Sequence, residues 1–214
     1  MDMEHEISSS EETSKKVELA NEPKLDQHYW DSRYVAGTTG WDLKEPSAPL
    51  KSYIDQLTDK DIRILIPGAG NAYEAMYLCQ QGFKNITIVD IAPTVIEKLK
   101  QQWQDFPQIS LYHQDFFKHQ GQYDLIIEQT FFCALSPLLR EQYVLKMHEL
   151  LRSGGKLVGV LFDKDFEGGP PFGGCKVEYE QLFKQLFQIQ TLEACHNSVT
   201  PRMNSELFVI LKKV

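Results

Sequence analysis

From Arg63 onward the chain alternates between short apolar runs and stretches with helical periodicity, and this alternation constrains the fold most strongly. The apolar runs predict strands over residues 63–67, 85–90, 109–113, 123–128, 156–162, 188–193 and 207–211. The periodic stretches predict helices over residues 71–81, 93–103, 137–151 and 178–187. Strands that alternate with helices at this spacing form a mostly parallel sheet, which is covered by helices on both faces.

Only a short loop separates the last two predicted strands, which indicates an antiparallel hairpin. We therefore predict a Rossmann-like α/β fold with a seven-stranded, mostly parallel sheet and a C-terminal antiparallel hairpin, the pattern of class I methyltransferases. We expect this domain to span residues 23–214. Residues 1–22 are acidic, rich in serine and poor in aromatic residues, so we expect a disordered tail.

The composition narrows the classes of partner. The formal net charge of −8 argues against a nucleic-acid partner, because such binding needs a basic face. The four cysteines are far apart and form no C-x-x-C pair, so we expect no metal site. No apolar run reaches the length of a membrane span or forms a signal segment. We expect a cytoplasmic monomer that acts on a small molecule.

A glycine turn with an acidic partner is the sharpest sign of a ligand. Gly68 and Gly70 lie between a predicted strand and a predicted helix, where they allow a tight turn and close approach of a ligand. Asp90 follows 20 residues after Gly70 and ends the next predicted strand. A carboxylate there can accept hydrogen bonds from ribose hydroxyls. The structural alternative is a plain turn in which Asp90 caps a helix.

The same region distinguishes a methyl donor from a nicotinamide cofactor. The dinucleotide motif needs a third glycine at position 73, where this chain has Tyr73. S-adenosylmethionine has no phosphate and needs no open helix N-terminus. Asp115 and Phe116 follow the third predicted strand, where a carboxylate and a ring can bind an adenine. The alternative for this pair is a solvated turn followed by core residues.

Several motifs resemble those of the thiopurine S-methyltransferase superfamily, and especially its plant-type thiol and halide methyltransferases. The matching segments are Trp41-Asp42, Ile66–Gly70, Asp90-Ile91, Gln114–Phe117, Phe131–Leu135 and Gly168–Pro171. The phenylalanine pair with Cys-Ala and the Gly-Gly-Pro-Pro stretch are far more specific than the glycine turn. The resemblance runs from about residue 29 to the C-terminus.

This resemblance implies S-adenosylmethionine as the cofactor and small thiols, thiopurines, thiocyanate or halide ions as methyl acceptors. The predicted cofactor-binding residues are Trp30, Trp41, Gly68, Gly70, Asp90, Ile91, Asp115, Phe116 and Gln129. The predicted acceptor-binding residues are Phe131, Phe172 and Arg202. Gln129 and Phe172 stand where the plant-type proteins have tyrosines, and Gly173–Cys175 resembles an inserted loop.

We predict no catalytic residue, because the methyl transfer itself does not require one. Transfer from a sulfonium is an in-line displacement, so the protein must align the reactants in a dry pocket. A thiolate or halide is already nucleophilic, so no strong general base is required. His113 and His196 are the candidate bases, and a structural role is the alternative for each of them. Two rival functions remain: an NAD-dependent oxidoreductase and a noncatalytic module that binds S-adenosylmethionine.

Overall fold

A computed structural model of the chain describes residues 24–214, and the predicted tail at residues 1–22 lies outside the described residues. The strands of this part are β1 Arg63–Pro67, β2 Asn85–Asp90, β3 Ile109–His113, β4 Tyr123–Gln129, β5 Leu151–Phe162, β6 Phe187–Ala194 and β7 Glu206–Lys213. The α-helices are α1 Gln27–Val35, α2 Ala48–Ile54, α3 Tyr73–Gln80, α4 Pro93–Gln102, α5 Arg140–Leu150 and α6 Lys176–Phe183. None of these helices has the length and apolar character that crossing a membrane requires.

The seven strands form one sheet in the order β3-β2-β1-β4-β5-β7-β6. The first five strands pair in parallel, whereas β7 lies between β5 and β6 and is antiparallel to both. This arrangement confirms the predicted seven-stranded, mostly parallel sheet and its C-terminal antiparallel hairpin. The chain moves outward from β1 to β3 and then returns to β4, so the topology reverses between β1 and β4. Ligands of open α/β sheets bind beyond the carboxyl ends of the strands at such a reversal.

The central strands, such as β1 and β4, are apolar runs because both faces of the sheet are covered there. In β1, Ile64 and Ile66 point to one face and pack with α2, α3 and α4, whereas Leu65 points to the other face and packs with α5 and α6. All three side chains are buried. This burial holds the carboxyl ends of β1, β2, β3 and β4 at one edge, from which the loops of the candidate site emerge.

Three of the four predicted helices differ from the observed ones by two or more residues at one end or both. The helix predicted from residue 71 begins at Tyr73, because Ala72 has a left-handed conformation with φ 54° and ψ 43°. The helix predicted over 137–151 is a 3-10 turn at Pro137–Leu139 followed by α5. The helix predicted over 178–187 is α6, and it ends before Phe187 begins β6.

β5 begins five residues before the predicted strand, directly after α5. Leu151 pairs with Tyr123, and the register then shifts so that Lys156 pairs with Leu125. The side chain of Lys213 donates to the carbonyl of Leu151 and to that of His148, at 2.7 Å each. A lysine from the end of the chain thus binds the last carbonyls of α5, and no local pattern encodes that contact.

The two helices before β1 were not predicted. Asp26 caps α1 by accepting a hydrogen bond from the amide of Tyr29 at 3.0 Å. None of the α1 side chains is fully buried, so the helix lacks the apolar stripe from which helices are predicted. Asp31 docks α1 on the sheet domain, since its Oδ1 accepts from the amide of Thr94 at the start of α4 at 2.8 Å.

Candidate active site

A cavity of about 720 Å³ opens beyond the carboxyl edge of the sheet. Small-molecule sites commonly enclose roughly 300–1,000 Å³, so the volume suits a ligand the size of a nucleoside with room for a second small molecule. The loops after β1, β2, β3 and β4 form the base of the cavity. Helix α1 and the segment after β5 form its walls.

The glycine turn and Asp90 form one hydrogen-bonded unit at the base. The amide of Gly70 donates to Oδ2 of Asp90, and the amide of Ala92 donates to Oδ1, at 2.9 Å each. Gly68 and Gly70 have φ angles of 56° and 50°, in the left-handed region that favours glycine. Asp90 therefore organises the turn, and each of its oxygens keeps a lone pair for a further donor.

Close contacts explain why both positions of the turn lack a side chain. A Cβ at Gly68 would lie 2.2 Å from Cδ2 of Phe131, and a Cβ at Gly70 would lie 2.7 Å from Oη of Tyr34. Burial raises the pKa of Asp90, and its backbone hydrogen bonds oppose that rise. Burial and the nearby carboxylate of Asp90 raise the pKa of Tyr34, which keeps its hydroxyl neutral.

Asp115 and Phe116 lie together at the β3 side of the cavity. Oδ1 of Asp115 accepts from the amide of Phe117 at 3.0 Å, which fixes the carboxylate at the start of a 3-10 turn. The ring of Phe116 is buried and packs edge-on against Phe131, with 5.0 Å between the ring centroids. Phe116 therefore serves as a core residue and also lines the cavity.

Three aromatic rings from the N-terminal segment cover the cavity. Trp30 and Trp41 pack edge-to-face at 5.7 Å between centroids, and Tyr34 packs against Trp41 at 5.9 Å. Tyr34 lines the cavity and was missed in the sequence. Its place one turn after Trp30 on α1 is the signal that could have identified it, because residues four apart share a helix face.

A buried carboxylate shapes the turn that carries Phe131. Oε1 of Glu128 accepts from the amides of Phe131 and Phe132, at 2.8 Å and 3.1 Å. Burial raises the pKa of Glu128 to about 7, although these two hydrogen bonds oppose the shift. Cys133 follows in the same turn and lines the cavity, and burial raises the pKa of its thiol, which therefore stays protonated.

The structure brings most of the predicted site residues together. The predicted residues that line the main cavity are Trp30, Trp41, Gly68, Asp90, Ile91, Asp115, Phe116, Phe131 and Arg202. Gly70 and Gln129 instead line an adjoining recess of about 60 Å³. Neither His113 nor His196 lines the cavity, and Nε2 of His113 lies 3.1 Å from the carbonyl oxygen of Ile91.

Phe172 lies outside the cavity lining. Its amide donates to the carbonyl of Cys133 at 2.7 Å, and its ring fills the space beside Gly169, where a Cβ would lie 2.2 Å from Cε1 of Phe172. Pro170 and Pro171 line the cavity in its place. The Gly-Gly-Pro-Pro segment therefore contributes its prolines, and the following phenylalanine anchors it.

Arg202 links three parts of the site. Its Nη2 donates to the carbonyl of Trp41 at 2.8 Å, and its Nη1 pairs with Glu206 at 3.4 Å. The amide of Gln129 can accept from Nη1 of Arg202 at 3.2 Å while it donates to Glu74 at 3.0 Å. The arginine thus holds the segment that carries Trp41, and Glu206 balances its charge.

The sequence of the chain matches one known protein family over almost the whole domain. The model of the thiopurine S-methyltransferase family matches residues 25–210. The chain belongs to the thiopurine S-methyltransferase family. The match confirms the resemblance predicted from the aromatic, glycine and proline motifs.

Named relatives of this family member come from plants and bacteria. The chain is 29% identical over 184 residues to "Probable thiol methyltransferase 2" of Arabidopsis thaliana, an alignment that covers 83% of this chain and 81% of the relative. It is 24% identical to thiocyanate methyltransferase 1 of Brassica oleracea, with 86% and 84% covered. It is 27% identical to thiopurine S-methyltransferase of Acinetobacter baylyi, with 79% and 88% covered.

Solved structures confirm the fold of this family member. One is the 1,6-didemethyltoxoflavin-N1-methyltransferase of Burkholderia thailandensis, solved with S-adenosylhomocysteine, with a TM-score of 0.67, 18% identity and coverage of 91% of this chain and 93% of that one. Another is a TehB-like methyltransferase of Corynebacterium glutamicum, with a TM-score of 0.62, 19% identity and coverage of 88% and 98%. Family and fold together confirm the prediction of an S-adenosylmethionine-dependent methyltransferase.

The lining fits the chemistry of this cofactor. Asp90 and Asp115 offer carboxylate oxygens, which suit ribose hydroxyls and an adenine amino group. Trp30 and Trp41 offer aromatic faces, which attract a sulfonium without competing as nucleophiles. Gly68 also lines the cavity, so the backbone of the glycine turn borders the space for the cofactor.

Proposed function

We propose that this enzyme methylates a small, soft nucleophile, namely a thiol, a thiopurine, thiocyanate or a halide ion, without a general base. The distribution of charge in the cavity carries this proposal. The acidic residues of the lining all belong to the half formed by α1 and the loops after β2 and β3, which also contributes Arg33; they are Asp26, Asp90 and Asp115. The half formed by the loops after β4, β5 and β6 contributes Lys164 and Arg202, and no acid among the described lining residues.

Lys164 supplies the second positive charge of that half, on a loop that also carries Asp163, Asp165 and Glu167 outside the lining. Arg202 is paired with Glu206, whereas no ion pair involves Lys164 within the described part of the chain. The ammonium group of Lys164 lies 5.2 Å from the ring centroid of Phe166, another lining residue. The cation therefore remains available to attract an anionic acceptor.

The residues of this half bind and desolvate the acceptor. When bound, S-adenosylmethionine supplies an electrophilic methyl group on a sulfonium. Phe131, Pro170 and Pro171 exclude water, and a thiolate or large halide loses its hydration at a lower cost than a carboxylate, because its charge is diffuse. No histidine lines the cavity within residues 24–214, and the thiol of Cys133 stays protonated, which favours acceptors that are already nucleophilic.

A panel of matched acceptors tests this function. The full chain with S-adenosylmethionine should methylate thiophenol, thiocyanate or iodide, and should leave phenol and aniline unchanged. The rate with a thiol should rise with pH toward the pKa of that thiol, and the rate with iodide should stay flat near neutral pH. Transfer to phenol or aniline in preference to thiophenol would overturn the proposal. Cofactor binding without turnover on any acceptor would instead support a noncatalytic module.

An oxidoreductase is disfavoured by the carboxylate beside the glycine turn. Oδ2 of Asp42 accepts from Nδ2 of Asn71 at 2.6 Å and from the hydroxyl of Tyr73 at 3.4 Å. A negative charge at the N-terminus of α3 repels the pyrophosphate of a dinucleotide, which would have to bind there. Calorimetry should therefore show binding of S-adenosylhomocysteine and none of NAD.

A further inference from the structure

We propose that Arg140 is a positioning residue, which holds the acceptor wall of the cavity in place without touching the acceptor. The inference rests on the proposed function, because that function defines which wall faces the acceptor. The wall is carried by residues 164–174, here called the proline loop, which includes Pro170 and Pro171.

Arg140 is the first residue of α5, and its side chain is 8% exposed. Its Nη1 donates to the carboxylate of Glu178 on α6, and its Nη2 donates to the carbonyl of Gly173 in the proline loop. The guanidinium also lies 5.0 Å from the ring centroid of Phe132 and 5.9 Å from that of Tyr179. One side chain thus joins α5, α6, the turn after β4 and the proline loop.

The proline loop has few other attachments. The amide of Phe172 donates to the carbonyl of Cys133 at 2.7 Å, and Phe166 packs edge-on against Phe162 of β5. The bond from the amide of Gly174 to the carbonyl of Lys164, at 3.1 Å, lies within the loop itself. The two donor amides, of Phe172 and Gly174, are the sequence neighbours of Gly173, where Arg140 binds. Arg140 therefore sets the position of the segment from which Pro170 and Pro171 reach the cavity.

The two glycines before Cys175, which resembled an inserted loop in the sequence, are required by this close packing. A Cβ at Gly173 would lie 1.8 Å from the carbonyl oxygen of Lys164. A Cβ at Gly174 would lie 2.4 Å from Oη of Tyr179, whose hydroxyl donates to the carbonyl of Phe162 at 2.8 Å. The backbone of the loop is pressed against the residues that Arg140 contacts.

The cost of burying Arg140 indicates a role beyond stability. Its Nε–H has no partner among the described residues. A buried guanidinium with an unsatisfied donor is a poor source of stability, and an apolar side chain of similar size is often neutral or better. The guanidinium binds the carboxylate and the carbonyl with two separate nitrogens held in a fixed planar geometry, whereas a lysine has a single nitrogen.

The test compares Arg140→Met and Arg140→Lys with the unchanged enzyme. We expect kcat/KM for thiophenol to fall about 10- to 100-fold through a higher KM in Arg140→Met, since a 1 Å misplacement can cost about 10²-fold. The Kd for S-adenosylhomocysteine, measured by calorimetry, should change less than about threefold, a free-energy change below about 1 kcal/mol. Arg140→Lys should be intermediate, because it keeps the charge but has one nitrogen, which cannot occupy the positions of both Nη1 and Nη2.

Hydrogen exchange of the ligand-free protein gives a readout that does not depend on turnover. The amides of Phe172 and Gly174 should exchange about tenfold faster in Arg140→Met, while the amides of β1 and β4 keep their protection. Gly173→Ala, which displaces the loop with Arg140 intact, should raise the KM for thiophenol in the same way. Arg152→Met is the matched control, because it removes an arginine paired with Asp124 at 3.0 Å near the opposite edge of the sheet.

Two outcomes would overturn the inference. In one, Arg140→Met leaves both the exchange of the proline loop and the KM for thiophenol unchanged. In the other, protection falls evenly over the whole sheet and kcat falls while KM does not, which is the result of a purely structural role. If the unchanged enzyme methylates none of thiophenol, thiocyanate and iodide, the proposed function fails, and the loop exchange still decides whether Arg140 positions the wall.

Discussion

Asp90 lies at the end of β2 and accepts one backbone hydrogen bond on each carboxylate oxygen, from Gly70 and from Ala92. The sequence left open whether this residue is a cap or a ligand-binding group. The geometry is compatible with both, because a carboxylate has about four lone-pair sites and the backbone uses two of them.

Replacement of Asp90 should therefore affect both stability and affinity. We expect Asp90→Ala to weaken binding of S-adenosylhomocysteine by about 1.5–3 kcal/mol for each ribose hydrogen bond to the carboxylate that is lost. The melting temperature should fall as well, because the amides of Gly70 and Ala92 lose their acceptor. Calorimetry and thermal unfolding measure the two effects. An affinity within about threefold of the original would show that Asp90 is only a cap.

Lys164 allows a test of whether positive charge in the half of the cavity formed by the loops after β4, β5 and β6 attracts the acceptor. Lys164→Gln should lower kcat/KM for thiocyanate several-fold at low salt, and the difference should shrink at high salt because exposed charges are screened. Lys100→Gln is the matched control, since Lys100 is an exposed lysine on α4 that pairs with Glu97. Equal rates for Lys164→Gln and the control at low salt would exclude a role in attracting the acceptor.

At the scale of elements, α1 is held to the domain through a side chain that caps another helix. The N-cap of α4, Ala92, has no side-chain capping bond of its own, and Asp31 supplies an acceptor to the amide of Thr94. The helix that carries Trp30 and Tyr34 is thus fixed to the loop after β2. This hydrogen bond and the contacts of Trp30 and Tyr34 with Trp41 hold α1 over the cavity.

Asp31→Ala should loosen this cover. A lost helix cap costs about 0.5–2 kcal/mol, and we expect faster hydrogen exchange over residues 27–35 together with weaker binding of S-adenosylhomocysteine. Asp105→Ala, at an exposed acidic residue after α4, provides the control. Unchanged exchange in α1 would mean that its aromatic contacts hold it without Asp31.

At the scale of the whole molecule, the buried carboxylates make stability depend on pH. The pKa of Glu128 is raised from 4.5 to about 7 in the folded protein. The unfolded state therefore binds fewer protons than the folded state between these values, and the free energy of unfolding falls as the pH rises through that window. Asp90 and Glu74 are shifted in the same direction by burial.

Glu128→Gln should remove the part of this dependence that Glu128 contributes. A neutral amide can still accept from Phe131 and Phe132 and has no proton to lose. We expect the variant to gain about 3 kcal/mol relative to the unchanged protein between pH 4.5 and pH 8, at 1.36 kcal/mol for each pKa unit. Urea unfolding at both pH values measures the gain. A constant difference between the two proteins at all pH values would show that Glu128 does not titrate in this range.

Much of the fold follows from local sequence patterns. The central strands are recognisable because burial on both faces leaves apolar runs, as in β1, whereas the edge strands β3 and β6 alternate apolar and polar residues. The glycine turn and its acidic partner were recognisable because they follow two successive predicted strands at the spacing of a nucleotide-binding turn. These residues are Gly68, Gly70 and Asp90. The boundaries of α5 and β5 were less predictable, because Lys213 and the pairing of Leu151 with Tyr123 determine them from a distance.

The composition of the site depends on contacts between distant segments. The carbonyl of Trp41 and the side chain of Arg202 are 161 residues apart in sequence and 2.8 Å apart in space. Arg140, Glu178 and Gly173 likewise meet only when two helices and a loop pack together. A local pattern carries periodicity and turn preference, so it identifies elements and their ends. Which side chains face the cavity, and which ones hold its walls, depends on how those elements pack, as Phe172 and Tyr34 show.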